Sequence, residues 1–502
     1  MAATNLAGLV RESATTAPDK IALVTRDSSV TWAELDRDVD RCAVGLLAAG
    51  HDPGSRIGIL LPNSVAFAVA YFGILRAGLV AVPLNTGYTA NELGYQLSDA
   101  DVPIVITDQE RAAVLRDAGD VTALVVDRPD GGWEQLLAAA DGQAAVDSTA
   151  GGEDLAVLLY TSGTSGRPRG AMLTHRALLA NLDQLTRIDP PVVAADDRVL
   201  LVLPLFHVYG LNAGLGMVAK AGATGVLAER FDPVETLALV REEQISGIIG
   251  APPMYVAWSM LPDLGDSLST VRVALSGAAP LPAAVLSAVL EASGHHIFEG
   301  YGLTETAPVL TTTLCSQVAK PGSVGRPVPG VELRVDVDVD IDDDESGDDP
   351  GEVVVRGPNL FSGYWPDGAG GPDEEGWFRT GDIGYLDEDG DLFLVDRTRD
   401  LIIVSGFNVY PREVEEALLA HPDVAEVAAI GVAHPYTGET VKALVVRRAG
   451  SAPSAEQLID YAASRIARFK CPTAVEFVDE LPHSLAGKVA RGRLRDSSPS
   501  LG

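Results

Sequence analysis

The stretch YTSGTSGRPRG, Tyr160–Gly170, packs four small hydroxyl side chains, three glycines and two arginines into eleven residues. It stands directly behind the apolar run Leu155–Leu159, which reads as a buried strand. Such a loop leaves a rigid edge with backbone N–H groups and hydroxyls free to surround phosphate oxygens. A Walker loop needs G-x-x-x-x-G-K-[ST]. Here Pro168 stands five residues beyond Gly163 and Ala171 five beyond Gly166, so this is not one. A flexible Gly/Ser surface turn has the same composition, and the remainder of the chain has to separate the two.

At 502 residues and 47% hydrophobic, the chain is long enough for a sizeable core. At roughly 100–200 residues per domain, two to four structural units are expected. The start, MAATNLAGLVRESATTAPDK, carries Arg11 and Glu12 where a signal peptide needs apolar residues. No later stretch offers the roughly 18 apolar residues of a membrane span, so no integral membrane segment and a cytoplasmic location are expected. Cys42, Cys315 and Cys471 are odd in number and far apart, which fits reduced thiols. Neither they nor the eight histidines show zinc-ligand spacing.

A net charge of −33 argues against a nucleic-acid or anionic-membrane surface, so any polyanionic ligand needs local positive partners. Part of that charge lies in VDVDVDIDDDESGDD, Val335–Asp349, whose first half alternates apolar and acidic residues. It reads as a strand with a wet acidic face followed by an acidic turn. The glycine and closing glutamate of an EF-hand loop are not at their positions.

Up to about residue 330, apolar runs alternate with amphipathic ones, the pattern of α/β layers. RIGILLP at Arg56, LVAVPLN at Leu79, PIVITD at Pro103, RVLLVLPL at Arg198, ISGIIGAPP at Ile245 and VRVALSGAAPL at Val271 are the strand candidates. From about 324 to 395, short strands and Gly/Pro/Asp turns suggest a small β-rich piece. After Asp396 a smaller unit begins, with helices over Arg412–Ala420 and Ala455–Ala467 and strands AEVAAIGV and ETVKALVVRR.

Four further segments can carry chemistry. In EGYGLTETAP, Glu299–Pro308, a glycine-bracketed Tyr301 can lie flat on a purine, Thr304 can donate to a phosphate, and Glu305 is a hard oxygen ligand suited to Mg²⁺. A strand-to-helix turn capped by Thr304 is the plain alternative. WFRTGD, Trp377–Asp382, and the segment DRTRDLIIVSGFNVYPREVE from Asp396 supply Asp382 and Arg397, a pair able to grip a ribose diol, although Gly-Asp turns are commonly structural. LPHSLAGKVARGRLR, Leu481–Arg495, places Lys488 after a small glycine loop, where it is either a solvated charge or an ammonium extended into a cleft.

Taken in order, these five segments resemble the adenylate-forming superfamily of acyl-CoA synthetases, nonribosomal-peptide adenylation domains and luciferases. The resemblance runs from VTWAELD at Val30 to the Lys488 segment. It departs at Ser165 and Arg169, where the family commonly shows threonine and lysine, and at Arg399, where many members carry Lys or Asp. It implies an α/β fold: a large N-terminal domain, residues 1–397, of two stacked α/β subdomains plus a small β-barrel-like piece. A small mobile α+β C-terminal domain, 398–502, follows a hinge at Arg399.

The resemblance implies a two-step ligase that uses ATP, Mg²⁺ and coenzyme A. Carried over by matching position, Thr161, Ser162, Gly163, Thr164, Ser165 and Arg169 hold the β/γ-phosphates. Glu305 holds Mg²⁺, with Thr161 and Thr304 nearby. Tyr301 stacks on adenine beside Gly277, Ala278, Ala279, Glu299, Gly300 and Gly302, while Asp382 and Arg397 bind the ribose. Lys488 bridges the substrate carboxylate and the α-phosphate. His207, Gly406 and Phe407 belong to the pantetheine tunnel, with His207 either a gate or a half-buried histidine bonded to backbone.

The acid is read from LPLFHVYGLN, Leu203–Asn212. Adenylation domains usually place an Asp for the substrate ammonium just after this segment's PL-F, and here His207 and Val208 stand there, which disfavours amino acids. Malonate-type ligases need a cation, and Val208–Val218 contains none. The expected pocket, from His207, Val208, Asn212, Met217, Ala278, Gly302, Ala307 and Val309, is small-residue and apolar. It suits a medium- or long-chain fatty acid, with a coumarate- or benzoate-like aryl acid as the alternative. An acyl carrier protein in place of free CoA, a non-catalytic binding protein and a luciferase-like oxidase are the competing classes.

Overall fold

Strands form where aliphatic and β-branched residues run together, and the most buried of them are apolar at every position. A computed structural model of the chain describes residues 4–146, 148–162, 168–279, 281–336, 351–397, 402–405, 407–409, 411–481 and 494. Arg56–Leu60, Val80–Pro83, Ile104–Thr107 and Thr122–Val125 lie parallel in a first sheet. Leu155–Ser162 joins it in parallel beside Val80–Pro83, and Pro168–Thr174 closes the edge antiparallel. Val80–Pro83 and Ile104–Thr107 are fully buried, as expected of parallel strands covered on both faces.

The second sheet has Ile21–Val24, Thr224–Leu227, Arg198–Leu201, Gly247–Gly250, Val273–Ser276 and Ile297–Gly302 in parallel order. It does not stop there. Val309–Thr312 pairs antiparallel with Ile297–Gly302 and passes the ladder to Ser323–Pro327. From there it runs on through Leu392–Arg397, Trp377–Leu386, Gly351–Arg356 and Glu332–Asp336. The β-rich piece is thereby hydrogen-bonded into the sheet that carries Tyr301. Of the acidic segment, Glu332–Asp336 is a strand, and 337–350 lies outside the described residues.

The helix Val65–Arg76 is buried nearly all round, as a helix between layers must be. Phe67, Tyr71 and Phe72 join Trp32 in one apolar core that includes side chains of both sheets. Asn63, just before this helix, stitches the sheets together. Its amide donates to the carbonyls of Leu201, Leu203 and Ala228 at 3.1, 2.9 and 3.2 Å, and its carbonyl accepts from Leu205 N–H at 2.9 Å.

A third sheet, of Ile402–Val404, Phe407–Val409, Val424–His434, Gly438–Arg447 and Ala474–Phe477, has its own core around Val414, Leu418, Val441 and Leu458. It meets the first sheet's side of the molecule through Lys470. This ammonium, side chain 2% exposed, lies 3.0 Å from Glu92 and 2.8 Å from Glu413, and 4.5 Å from the Tyr88 ring centre. Glu92 also closes the capping box with Thr89 that starts helix Ala90–Asp99, and the Thr89 hydroxyl donates to the Arg465 carbonyl at 3.1 Å. Burial opposes the charge on Lys470, but Tyr88, Glu413 and Glu92 outweigh it and its pKa is raised. No described helix is long and apolar enough to cross a membrane.

Replacing Lys470 with Met removes the ammonium that pairs with two buried carboxylates, a change that costs on the order of 3–5 kcal/mol. Urea unfolding of Lys470→Met should therefore show a large loss of stability, part of which Glu92→Gln added to it restores.

Candidate active site

The strands on either side of the glycine-rich loop, Leu155–Ser162 and Pro168–Thr174, pair antiparallel. Leu155–Ser162 runs past the expected strand end because Thr161 and Ser162 still pair with Arg169 and Pro168. Gly163, Thr164 and Ser165 lie outside the described residues, as does the side chain of Ser162. Thr161 and Arg169, facing each other in this ladder, both line a cavity of about 470 Å³.

The segment Phe361–Trp365 holds this hairpin from the other side. Ser362 N–H donates to Met172, Met172 N–H to Gly363 and Trp365 N–H to Gly170, at 3.0, 3.0 and 2.8 Å. Phe361 N–H donates to the Glu305 carbonyl at 2.9 Å. The Tyr364 ring lies 3.4 Å from the Arg169 guanidinium carbon, and its hydroxyl donates to Glu305 Oε1 at 2.6 Å. Burial pushes the Glu305 carboxyl above the usual carboxylate range, against the Tyr364 hydrogen bond that favours the ionised form.

Glu305 sits in a tight turn, Thr304–Thr306, after the strand Ile297–Gly302, and Thr304 lines the same cavity. A carboxylate and the hydroxyl-bearing Thr161 and Thr304 lining one cavity are a hard donor set, which fits Mg²⁺ carried with a polyphosphate. Tyr301, on the strand before the turn, donates its hydroxyl to Asp382 Oδ2 at 2.6 Å. Asp382 stands opposite Arg397 in the ladder, and the Arg397 side chain is not among those described. Gly300, Gly302, Gly277 and Ala278 complete this part of the wall. A β-carbon on Gly277 would lie 3.0 Å from the Tyr209 ring, so glycine lets the loop approach it.

The apolar lining comes from Leu185, Val192, Val208, Ala213, Leu275 and Val309. His207 joins it at the start of an unusually wide helical turn, Tyr209–Gly216, and its Nδ1 accepts from Tyr209 N–H at 3.3 Å. Burial pulls its pKa down to about 4, so the imidazole is neutral at pH 7.

Several expected wall residues stand behind the wall instead. Asn212 is fully buried and spends its amide on the carbonyls of Leu178 and Ala307, at 3.1 and 2.7 Å. Met217 is core, and Ala307 is fully buried in the turn after Glu305 with φ 62°. Glu299 accepts from Leu281 N–H at 3.0 Å, and neither it nor Ala279 is on the cavity. Phe407 packs on Phe469, 4.6 Å between ring centres, within the third sheet's unit and off this cavity. Gly406, Arg399 and Lys488 lie outside the described residues. Tyr209, Tyr364 and Phe378 are wall residues that the sequence reading missed. Tyr364 lies in SGYWPDGAGG, where turn composition hides a residue with two contacts in the site.

The family model for AMP-binding enzymes matches residues 10–365, and that for the AMP-binding enzyme C-terminal domain matches 413–488. The chain is 35% identical to a long-chain-fatty-acid–CoA ligase from Bacillus subtilis, over 97% of this chain and 94% of the relative. It is 38% identical to a feruloyl-CoA synthase from an Amycolatopsis species, over 95% and 96%. Among solved structures, the o-succinylbenzoate CoA synthetase of Bacillus subtilis, a double mutant bound to a product analogue, superimposes with a TM-score of 0.84 at 29% identity, covering 98% of this chain and 99% of that one.

The folded pKa of His207 lies below the ordinary value of about 6.5, so the unfolded chain binds a proton that the folded one refuses. The stability this group contributes above about pH 6.5 is lost as pH falls toward 4. An NMR titration should show two imidazoles that stay neutral to about pH 5, those of His207 and the buried His175, of which only the first is absent in His207→Asn.

Proposed function

The chain belongs to the AMP-binding enzyme family, and from that premise we propose that it is an ATP-dependent acid–thiol ligase acting on a medium- or long-chain fatty acid. In the first step a carboxylate oxygen bonds to the α-phosphorus of ATP as the bond to pyrophosphate breaks, giving acyl-AMP. In the second, the sulfur of coenzyme A bonds to the acyl carbon, AMP leaves and the thiol proton is released.

The first step brings an anion onto a polyanion, so positioning and charge neutralisation supply most of the rate. Thr161, Ser162, Thr164 and Arg169 hold the β/γ-phosphates, and Lys488 bridges the carboxylate and the α-phosphate. Glu305 would hold Mg²⁺, with Thr161 and Thr304 as further oxygen donors, and the ion would neutralise phosphate oxygens. Tyr301 carries the adenine while Asp382 and Arg397 hold the ribose. Rotation of the C-terminal unit about Arg399 exchanges Lys488 for the Gly406 loop between the two steps. The three cysteines, free and at least partly buried, fit the cytoplasm as the proposed compartment.

The observation that supports a fatty acid is the apolar wall. Leu185, Val192, Val208, Ala213, Leu275 and Val309 bring no charge, and His207 beside them is neutral. An aryl acid is the second reading, favoured by the similarity to a feruloyl-CoA synthase and by the Tyr209 ring on the wall.

Pyrophosphate release from ATP, measured with alkanoic, benzoic, cinnamic, dicarboxylic and amino acids with and without CoA, tests the proposal. CoA-dependent turnover should peak on a medium- or long-chain alkanoate. Cinnamates outrunning every alkanoate would put the aryl reading first, and a single burst indifferent to CoA would point to an acyl carrier protein as acceptor. In the same assay Lys488→Ala should lose at least about a hundredfold in adenylation yet still make thioester from synthetic acyl-AMP, and Gly406→Leu should do the reverse.

A further inference from the structure

We propose that Tyr364 is a positioning residue that couples the phosphate-binding arginine to the cation-binding carboxylate; this rests on the roles given above to Arg169 and Glu305. Its two faces of contact are chemically different. The ring lies 3.4 Å beneath the Arg169 guanidinium carbon, a cation–π stack that restrains the longest side chain of the phosphate hairpin. The hydroxyl donates to Glu305 Oε1 at 2.6 Å, a charge-assisted bond when the carboxylate is ionised. With the phenol bonded to Oε1, rotation of the carboxylate that would face a hard cation is restrained.

Three features show that this arrangement is built in. The backbone of Phe361–Trp365 is bonded both to the Glu305 carbonyl and to Gly170 and Met172 of the hairpin, so the main chain that carries Tyr364 is held in register with both partners. Phe361 packs edge-on against the Tyr364 ring, 5.0 Å between centres. Gly370 closes over the pair with φ 70°, and a β-carbon there would stand 3.1 Å from Arg169 Nη2 and 3.3 Å from the Tyr364 ring. Only glycine adopts this conformation without strain and also leaves the guanidinium in place. A tyrosine needed only as filler would not require its hydroxyl at the carboxylate and its face at the guanidinium together.

The test separates the two contacts. Tyr364→Phe keeps the ring under Arg169 and removes the bond to Glu305. Tyr364→Leu removes both. In the full-length protein, Mn²⁺ binding is followed by electron paramagnetic resonance with an ATP analogue bearing a non-cleavable α,β-methylene link, and nucleotide affinity is measured at saturating Mn²⁺. Tyr364→Phe should weaken Mn²⁺ about tenfold, the effect of about 1.4 kcal/mol, with nucleotide affinity little changed. Tyr364→Leu should weaken the nucleotide as well.

In a Glu305→Gln background, Tyr364→Phe should have no further effect on Mn²⁺, whereas independent sites would add. Wild-type Mn²⁺ affinity in Tyr364→Phe, additive losses in the double variant, or equal losses of metal and nucleotide in Phe and Leu variants would each overturn the proposal. A wild-type protein that binds no metal–nucleotide complex would instead sink the ligase reading, and this inference with it.

Discussion

The desolvated carboxylate of Glu305 constrains the architecture around it. A buried carboxylate is costly unless hydrogen-bonded and close to positive charge. Here the donor, Tyr364, comes from a stretch 59 residues away, and the nearby guanidinium, Arg169, comes from the edge of a different sheet. The short backbone ladder of Phe361–Trp365 keeps these three groups in register. Because that ladder bonds to the hairpin on one side and to the Glu305 turn on the other, the β-rich piece, the second sheet and the first sheet have to assemble together.

The two sheets are joined by packing as well as by these bonds. Helix Val65–Arg76 is apolar round almost its whole circumference and therefore has to be covered on all sides, while Asn63 at its entrance satisfies carbonyls at strand ends of the second sheet. The smaller C-terminal unit has a separate core, and its described side-chain bonds to the rest run through Lys470 and the Thr89–Arg465 bond. A polar junction of this kind can separate without exposing a large apolar surface, which suits a unit proposed to turn between two reaction steps.

Strand positions were legible because period and composition act locally. Arg56–Leu60, Val80–Pro83, Gly247–Gly250 and Val273–Ser276 appear where their apolar runs stand. Residues flanked by glycine or carried on motif turns, such as Tyr301, Thr304 and Glu305, were legible for the same reason and line the cavity. The acyl wall was harder. Asn212 and Met217 lie on the right helix, but one face of that helix packs into the core, and a single sequence does not tell which side of a wide helical turn faces the cavity. Glu299 is off the cavity lining and accepts a backbone N–H, and in sequence a carboxylate with that partner looks like any other.

The sequence by itself determined the α/β layering, the order of the motif segments and the kinds of group available for phosphate, ribose and cation, since each follows from local periodicity, turn chemistry or side-chain type. Only the tertiary structure decided that Tyr364 touches both Arg169 and Glu305, that Tyr301 is bonded to Asp382, and that Lys470 joins Glu92 to Glu413. Those pairings link residues that are dozens to hundreds of positions apart. Nothing local encodes them, because they arise when hydrogen-bonded strands and close-packed cores bring distant segments to within bonding distance.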